Sequence, residues 1–173
     1  HYAASPFSEK VRLVLGMKGL AWNSVGVPVM MPKPDVVALT GGYRRTPFMQ
    51  IGADIWCDSA LMCRVIDRLM PEPPLFPPMA GGAAPALAQW ADASLFWVAV
   101  PLTLQLGGPA SLSAQLTPEF LKAFAADRAN MSAGVRRAGP HDARAQLLNY
   151  LGWLEQQLAD GRRLLRRLDN HAV

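Results

Sequence analysis

The sequence has few cysteines and no long hydrophobic run, and each shortage excludes a class of protein. Cysteine occupies only 2 of the 173 positions, Cys57 and Cys63. Two cysteines are too few for a disulfide-dense scaffold or, alone, a four-ligand zinc site, and reduced thiols in the cytoplasm are expected. The uncharged region 93–118 has a continuous apolar part of only Leu95–Val100. A membrane-spanning helix needs ~20 apolar residues, so a buried helix is expected there.

The chain also has little net charge outside its last segment. The formal net charge is +4, but the four arginines and one aspartate of residues 162–173 supply +3 of it. A protein that binds nucleic acid usually carries its basic charge on a folded face, so the sequence argues against a nucleic-acid partner. The three histidines, His1, His141 and His171, have no metal-ligand spacing, and no metal site is expected.

What is present indicates a folded α/β domain. Hydrophobic residues make up 51% and charged residues 17%, a composition that can bury a core. Helix caps, apolar periodicity and glycine turns predict the order βαβαββα. The predicted elements are a strand stub His1–Ala4, a helix from Ser5 to Gly19, a strand Leu20–Val27, a helix Asp35–Leu39, a hairpin of Thr46–Ile51 and Asp54–Cys57, and a helix capped by Asp58-Ser59.

The second half is predicted to be helical. Six prolines lie within Pro71–Pro85, which is typical of a linker because proline disrupts helices and central strands. We therefore expect a first domain of residues 1–78, a linker of 79–85 and a helical domain of 86–173. The three predicted helices are Ala86–Leu106 with a bend at Pro101, a helix that starts at Thr117-Pro118, and Asp142–Asp160 ended by Gly161.

The start of the first helix is a candidate chemical site. Ser5 suits the N-cap and Pro6 the first helical position. Free backbone N–H groups and the helix dipole favour an anion at such an end. A thiol there has its pKa lowered, and the Ser5 hydroxyl can donate a hydrogen bond to the resulting thiolate. Ser5 acting only as a helix cap is the alternative, and the residue alone favours it.

Two further features could bind a peptide ligand. Thr46-Pro47 opens a strand, and a cis bond there would expose the backbone of Thr46, although only ~5% of X–Pro bonds are cis. Asp58-Ser59 opens a helix, where the hydroxyl and N–H groups suit a carboxylate and Asp58 suits an ammonium. Either feature alone is more simply a strand start or a helix cap.

Together and in this order, these residues resemble the glutathione-binding domain of the glutathione transferase superfamily. The stretch from Ser5 to Gly19, SPFSEKVRLVLGMKG, is similar to the catalytic turn and first helix of the omega-like and zeta-like classes. The resemblance covers residues 1–78, and the helical region is consistent with that family's second domain. It implies an α/β thioredoxin-like domain followed by a partial all-α domain.

The resemblance also implies roles for particular residues. Ser5 matches the catalytic serine or cysteine, Pro47 matches the family's cis-proline, and Asp58-Ser59 matches the pair that holds the γ-glutamyl group. The glutathione-binding residues implied by the resemblance are Phe7, Lys33, Thr46, Pro47, Asp58 and Ser59. Glutathione is then the co-substrate, and no metal is needed.

The expected function is conjugation of the glutathione thiolate to a small apolar electrophile by a cytoplasmic homodimer. Isomerisation of the zeta type stays open because it also uses a serine at this turn. A non-catalytic binding protein of the same fold, or an inactive remnant, is the alternative, since fold alone does not fix function. Family members continue beyond Gly161 with further helices, which predicts a fragment or frameshifted product. Candidate electrophile-pocket residues, for which a core position is favoured, are Trp90, Phe96, Trp97 and Phe124.

Overall fold

The computed structural model describes residues 1–105, 117–135 and 138–161. The chain divides into two compact units between Ala84 and Pro85. The last residue of the predicted helix Ala86–Leu106 and the basic segment 162–173 lie outside the described residues.

The first unit contains three α-helices and one β-hairpin. Their bounds are α1 Pro6–Met17, α2 Pro34–Leu39, β1 Phe48–Ile51, β2 Asp54–Cys57 and α3 Ser59–Leu69. The hairpin is antiparallel, with Phe48 opposite Cys57 and Ile51 opposite Asp54. Gly52 lies in its turn with φ of 61°, a conformation that glycine adopts without a steric penalty.

Two predicted strands are wrong in the described first unit. Neither His1–Ala4 nor Leu20–Val27 forms a regular strand. Two backbone hydrogen bonds join these segments, from the His1 nitrogen to the Val25 carbonyl at 2.8 Å and from the Val27 amide to the His1 carbonyl at 2.9 Å. Residues 21–26 are all exposed. A buried face is what fixes strand register, and this segment has none.

The core of the first unit lies between α1 and α3. Val11 and Leu15 pack against Met62, Cys63 and Ile66, and all five side chains are buried. Burying each large apolar side chain stabilises the fold by about 1.5–3 kcal/mol. This packing lays the two helices side by side.

A buried lysine joins the carboxyl ends of the same two helices. Lys18, just after α1, forms an ion pair of 2.5 Å with Asp67, and its side chain is 0% exposed. Its ammonium also donates to the carbonyls of Met70 at 2.7 Å and Pro73 at 2.6 Å. Asp67 in turn accepts a hydrogen bond from the Leu75 amide at 2.9 Å. Because the carboxyl ends meet and the helices pack along their length, both amino ends lie at the same end of the unit. We call the ion pair and hydrogen bonds that Lys18 forms with Asp67, Met70 and Pro73 the Lys18 clamp.

The second unit is helical in its described part. A 3₁₀ turn, Pro78–Ala80, lies near the end of the first unit, and α4, Ala83–Trp90, begins in its last two residues. The elements that follow are a π-helical turn Ala91–Leu95, α5 Phe96–Gln105, α6 Pro118–Met131 and α7 Pro140–Gln157. The predicted single helix from Ala86 therefore begins earlier, at Ala83, and a π turn interrupts it. The early start is compatible with Pro85, since proline is tolerated in a first helical turn.

The π turn aligns the apolar residues on its two sides. Trp90 and Leu95 both pack against the core that Val98 and Leu102 form with Ala143 and Tyr150 of α7. In a regular α-helix, residues five apart lie about 140° from each other around the axis. The wider π turn accommodates the extra residue, so Trp90 and Leu95 can face one core.

The starts of the last two helices follow local rules. The hydroxyl oxygen of Thr117 accepts a hydrogen bond from the Phe120 amide at 3.2 Å, which confirms the helix start predicted there. The helix predicted over Asp142–Asp160 runs instead over Pro140–Gln157. Proline suits the first helical position, which explains the earlier start. No helix in the described parts of the chain is long and apolar enough to cross a membrane.

Candidate functional site

Ser5 caps α1, as its sequence position predicts. Its hydroxyl oxygen accepts a hydrogen bond from the Ser8 amide at 3.2 Å, and the residue is 3% exposed. Pro6 occupies the first helical position. The cap uses a lone pair of the Ser5 oxygen and leaves its proton able to donate. Ser5 can therefore cap the helix and still hydrogen-bond an anion placed beside it.

Asp58 caps α3 in an uncommon backbone conformation. Its φ is 76°, the one positive value at a non-glycine residue in the described ranges, and such positions cost of order 1–3 kcal/mol. One carboxylate oxygen, Oδ1, accepts from the amides of Ala60 at 2.8 Å and Leu61 at 3.3 Å. The neighbouring Ser59 is buried. The predicted cap is confirmed, and it commits one of the two Asp58 oxygens.

The amino ends of α1 and α3 lie at the same end of the first unit, because the helices pack side by side and their carboxyl ends meet. The shared core and the Lys18 clamp place Ser5 and Ser59 at one end of the first unit. Each helix start carries a partial positive charge of about half an elementary charge. Two such ends on one side of the unit favour an anionic ligand.

Thr46-Pro47 lies beside the start of α3. The peptide bond between the two residues is cis, as the family resemblance implied, and Pro47 is buried. Because Phe48 pairs with Cys57, continuing the hairpin register places Pro47 next to Asp58. Among the described residues, the structure records no backbone hydrogen bond at Thr46. Its amide and carbonyl can therefore pair with an extended ligand.

Lys33 and Phe7 lie at the starts of α2 and α1, respectively. Lys33 caps α2 and is only 4% exposed. Its ammonium lies 3.4 Å from the Arg44 carbonyl and 5.9 Å from the ring centre of Tyr2. Phe7 is half-buried in the first turn of α1. Lys33 thus contacts the loop that leads to Thr46, with its charge held inside the unit.

Sequence reasoning did not identify Tyr43. This half-buried residue lies in the loop between α2 and β1. Burial and then the Asp58 charge raise the pKa of Tyr43, while Arg45 opposes the rise. A tyrosine three positions before Thr46 is only a weak signal, because Asp58, whose charge acts on it, lies 15 positions further along the chain.

The four candidate pocket residues of the second unit have packed aromatic surroundings. Trp90 packs against the core, and the rings of Phe96 and Trp97 meet edge to face at 5.1 Å. The Arg128 guanidinium lies 4.3 Å from the ring centre of Phe124. The contacts of Trp90 therefore agree with the core position that the sequence favours for it.

The thiols and acidic groups of the described residues are not arranged as a metal site. Cys57 and Cys63 are not joined in a disulfide, and Cys63 is buried. Burial raises the pKa of the Cys57 thiol, which keeps it protonated. Within the described ranges, no group of three or more His, Cys, Asp or Glu side chains is arranged to hold a metal.

Comparisons with known proteins agree with this arrangement. The family described as "Glutathione S-transferase, N-terminal domain" matches residues 1–74. The chain is 39% identical to a GST-like protein from Pseudomonas syringae of known crystal structure, with a TM-score of 0.66. That match covers 93% of this chain and 48% of the other, so the chain spans about half of that protein's length. No curated protein matches the chain.

The matches confirm the fold class expected from the sequence, a thioredoxin-like N-terminal domain followed by a helical region. They extend over both units, since the similarity to the Pseudomonas syringae protein covers 93% of the chain. The chain therefore belongs to the glutathione S-transferase superfamily.

Proposed function

We propose that this protein binds glutathione and transfers its thiolate to a small apolar electrophile. One observation carries the proposal: the starts of α1 and α3, with Ser5 and Ser59, lie at the same end of the first unit. Glutathione has a thiol and two carboxylates, which are the groups that such an end stabilises as anions. The family match over residues 1–74 supports this choice of ligand.

Ser5 is the proposed catalytic residue. Its hydroxyl donates to the glutathione sulfur, and the α1 dipole adds to the stabilisation of the thiolate. A lower thiol pKa raises the fraction of nucleophile at neutral pH. The thiolate attacks an electrophilic carbon and a carbon–sulfur bond forms, while the leaving group departs with the electrons of the broken bond.

The remaining site residues hold the peptide. The backbone of Thr46 pairs with the cysteinyl part, beside Pro47. Ser59 and the amino end of α3 bind the γ-glutamyl carboxylate, and the uncommitted Asp58 oxygen accepts from its ammonium. Lys33 and Phe7 complete the set. We further propose a cytoplasmic homodimer that acts on a small apolar electrophile.

A non-catalytic glutathione-binding protein is the second candidate. The observation that favours it is the burial of Ser5, which is 3% exposed and already bonded to the Ser8 amide. Little of the Ser5 side chain is therefore open to a ligand, and its oxygen already caps α1. This candidate predicts binding of glutathione without turnover.

The test compares wild type, Ser5→Ala and the control Ser8→Ala for binding and turnover. Calorimetry measures glutathione binding. The kcat/KM of conjugation is measured with a generic aromatic electrophile. A hydrogen bond to a charged group contributes about 1.5–3 kcal/mol, so Ser5→Ala should lower kcat/KM by about 10- to 150-fold. Ser8→Ala should keep wild-type kcat/KM, because the Ser8 hydroxyl has no partner in the described chain. Binding without turnover in wild type would favour the second candidate, and no binding would refute both.

A further inference from the structure

Arg12 of α1 ties the helix to the turn that leads into Ser5. Its Nη2 group donates to the Ala3 carbonyl at 2.9 Å, and its Nη1 group donates to Nδ1 of the His1 ring at 3.0 Å. A guanidinium has only donors, so the His1 nitrogen is the acceptor in this bond. On the helix side, Nε donates to the Glu9 carboxylate at 2.8 Å. Arg12 therefore bonds α1 and the segment before it at the same time.

The turn that Arg12 contacts is otherwise weakly held. Ala3 and Ala4 form this turn, and both are exposed. The Ser5 amide donates across the turn to the Tyr2 carbonyl at 3.3 Å, which is long for such a bond. In the described part of the chain, the Arg12 bond is the only side-chain hydrogen bond to Ala3 or Ala4. The turn is therefore fixed to the helix by the planar fork of Arg12, which reaches two acceptors at once.

The backbone of this turn sets the direction of the Ser5 hydroxyl. Ser5 has an extended backbone, with φ of −81° and ψ of 118°, and its oxygen accepts from the Ser8 amide at 3.2 Å. The cap restrains Ser5 from the helix side. The peptide bond between Ala4 and Ser5 restrains it from the other side. A displacement of the turn therefore rotates Ser5 and changes the direction in which its hydroxyl proton can donate.

We propose that Arg12 is a positioning residue for Ser5. By holding the Ala3 carbonyl against α1, the guanidinium keeps the Ser5 hydroxyl directed at the bound thiolate. The inference rests on the proposed function of Ser5 with glutathione. Arg12 acts through the turn and not by contact with the ligand, because its bonds to Glu9, His1 and Ala3 use all three nitrogens of the guanidinium.

The experiment measures whether the effect of Arg12 passes through Ser5. Arg12→Lys keeps the positive charge but lacks the planar fork. The net contribution of one hydrogen bond corresponds to about a three- to tenfold fall in kcat/KM for glutathione. In the Ser5→Ala background, the same change should alter kcat/KM by less than about twofold, because the hydroxyl that Arg12 positions is already absent.

A binding measurement separates a positioning role from a structural one. S-methylglutathione keeps the peptide but has no thiol to ionise, so it does not depend on the Ser5 hydroxyl as a thiolate does. Its dissociation constant in Arg12→Lys, measured by calorimetry, should stay within about twofold of wild type. Arg64→Lys makes the same change at an exposed arginine of α3 and should leave both kcat/KM and this dissociation constant unchanged.

Three results would overturn the inference. They are no fall in kcat/KM in Arg12→Lys, an equal fall in the wild-type and Ser5→Ala backgrounds, and a weakening of S-methylglutathione binding as large as the fall in kcat/KM. If wild type bound no glutathione, the proposed function would be refuted, and the inference would fall with it.

A measurement on wild type keeps the inference testable if Arg12→Lys does not fold. The bonds to Ala3 and His1 should stop rotation of the guanidinium, so its two Nη groups should give separate signals in nuclear magnetic resonance. A single averaged signal from a freely rotating Arg12 in the folded protein would overturn its positioning role.

Discussion

Replacing Lys18 by methionine should lower the free energy of unfolding of the first unit. Among the charged side chains of this unit, we expect Lys18 to be the one whose removal costs most. The lysine side chain is 0% exposed, and its ammonium is shared by the Asp67 carboxylate and the carbonyls of Met70, Pro71 and Pro73. Methionine fills a similar volume but donates nothing. The change therefore isolates the loss of the ammonium from the loss of packing.

The magnitude follows from the groups left behind. Breaking a buried ion pair by removing one partner typically costs about 3–5 kcal/mol. The Asp67 side chain is 18% exposed and keeps its bond to the Leu75 amide, so the lower end of the range, about 3 kcal/mol, is expected. For a unit of this size, 1 kcal/mol shifts the melting temperature by about 4–8 °C. The expected fall is therefore about 12–24 °C.

The assay should follow the first unit alone, and the cysteines permit this. Both lie in that unit, and Cys63 is only 6% exposed. Reaction of the thiols with an aromatic disulfide, measured across a guanidinium series, then reports the opening of the α1–α3 core. Arg68→Met is the matched control, because it removes an exposed cation from α3 next to Asp67; its cost should be below about 0.5 kcal/mol.

A second variant tests the cause. Adding Asp67→Asn to Lys18→Met removes the uncompensated charge but keeps an acceptor for the Leu75 amide. The double variant should recover about 1–2 kcal/mol relative to additivity, as expected for residues in direct contact. A cost below about 1 kcal/mol for Lys18→Met, or strictly additive effects, would refute the assignment of the Lys18 clamp.

Two further predictions concern buried groups of the first unit. Ser8→Ala should leave the free energy of unfolding unchanged or raise it by up to about 1 kcal/mol in chemical denaturation, because the buried Ser8 hydroxyl has no partner in the described chain; a clear loss would show a missed bond. Burial raises the pKa of both Tyr43 and Cys57. The two protonated side chains therefore contribute fully to the free energy of unfolding below the ordinary thiol and phenol values, about 8.5 and 10. That contribution is lost as pH rises through the raised values. The free energy of unfolding should fall above about pH 8.5, and it should fall less steeply in Tyr43→Phe with Cys57→Ser; equal slopes would contradict the pKa directions.

The features predictable from sequence are those fixed by neighbouring residues. Ser5, Asp58 and Thr117 cap helices as expected, because a cap requires only a side-chain oxygen within three residues of the amide it accepts. The hairpin follows from a glycine between two short apolar runs. The Lys18 clamp could not be predicted, since its ion pair joins residues 49 positions apart and a lysine after a helix is usually exposed.

Failures in the prediction arise where tertiary packing overrides the local pattern. The segment Leu20–Val27 has the composition of a strand but no buried face, and two backbone hydrogen bonds join it to His1 without making a regular strand. The helix from Ala83 has a continuous apolar pattern, yet a π turn at Ala91–Leu95 divides it. Its apolar residues face one core only if the turn widens, and that requirement comes from α7.

Asp58 shows why residue type alone does not determine a ligand contact. The sequence supports two roles for its carboxylate, a helix cap and a partner for an ammonium. The structure commits Oδ1 to two amides of α3, so any ammonium must be bound by the other oxygen. The two roles are then cooperative, because the cap fixes the direction in which the second oxygen points. Asparagine would preserve the cap but lose the charge, so a ligand ammonium would be weakened while the helix start remained intact.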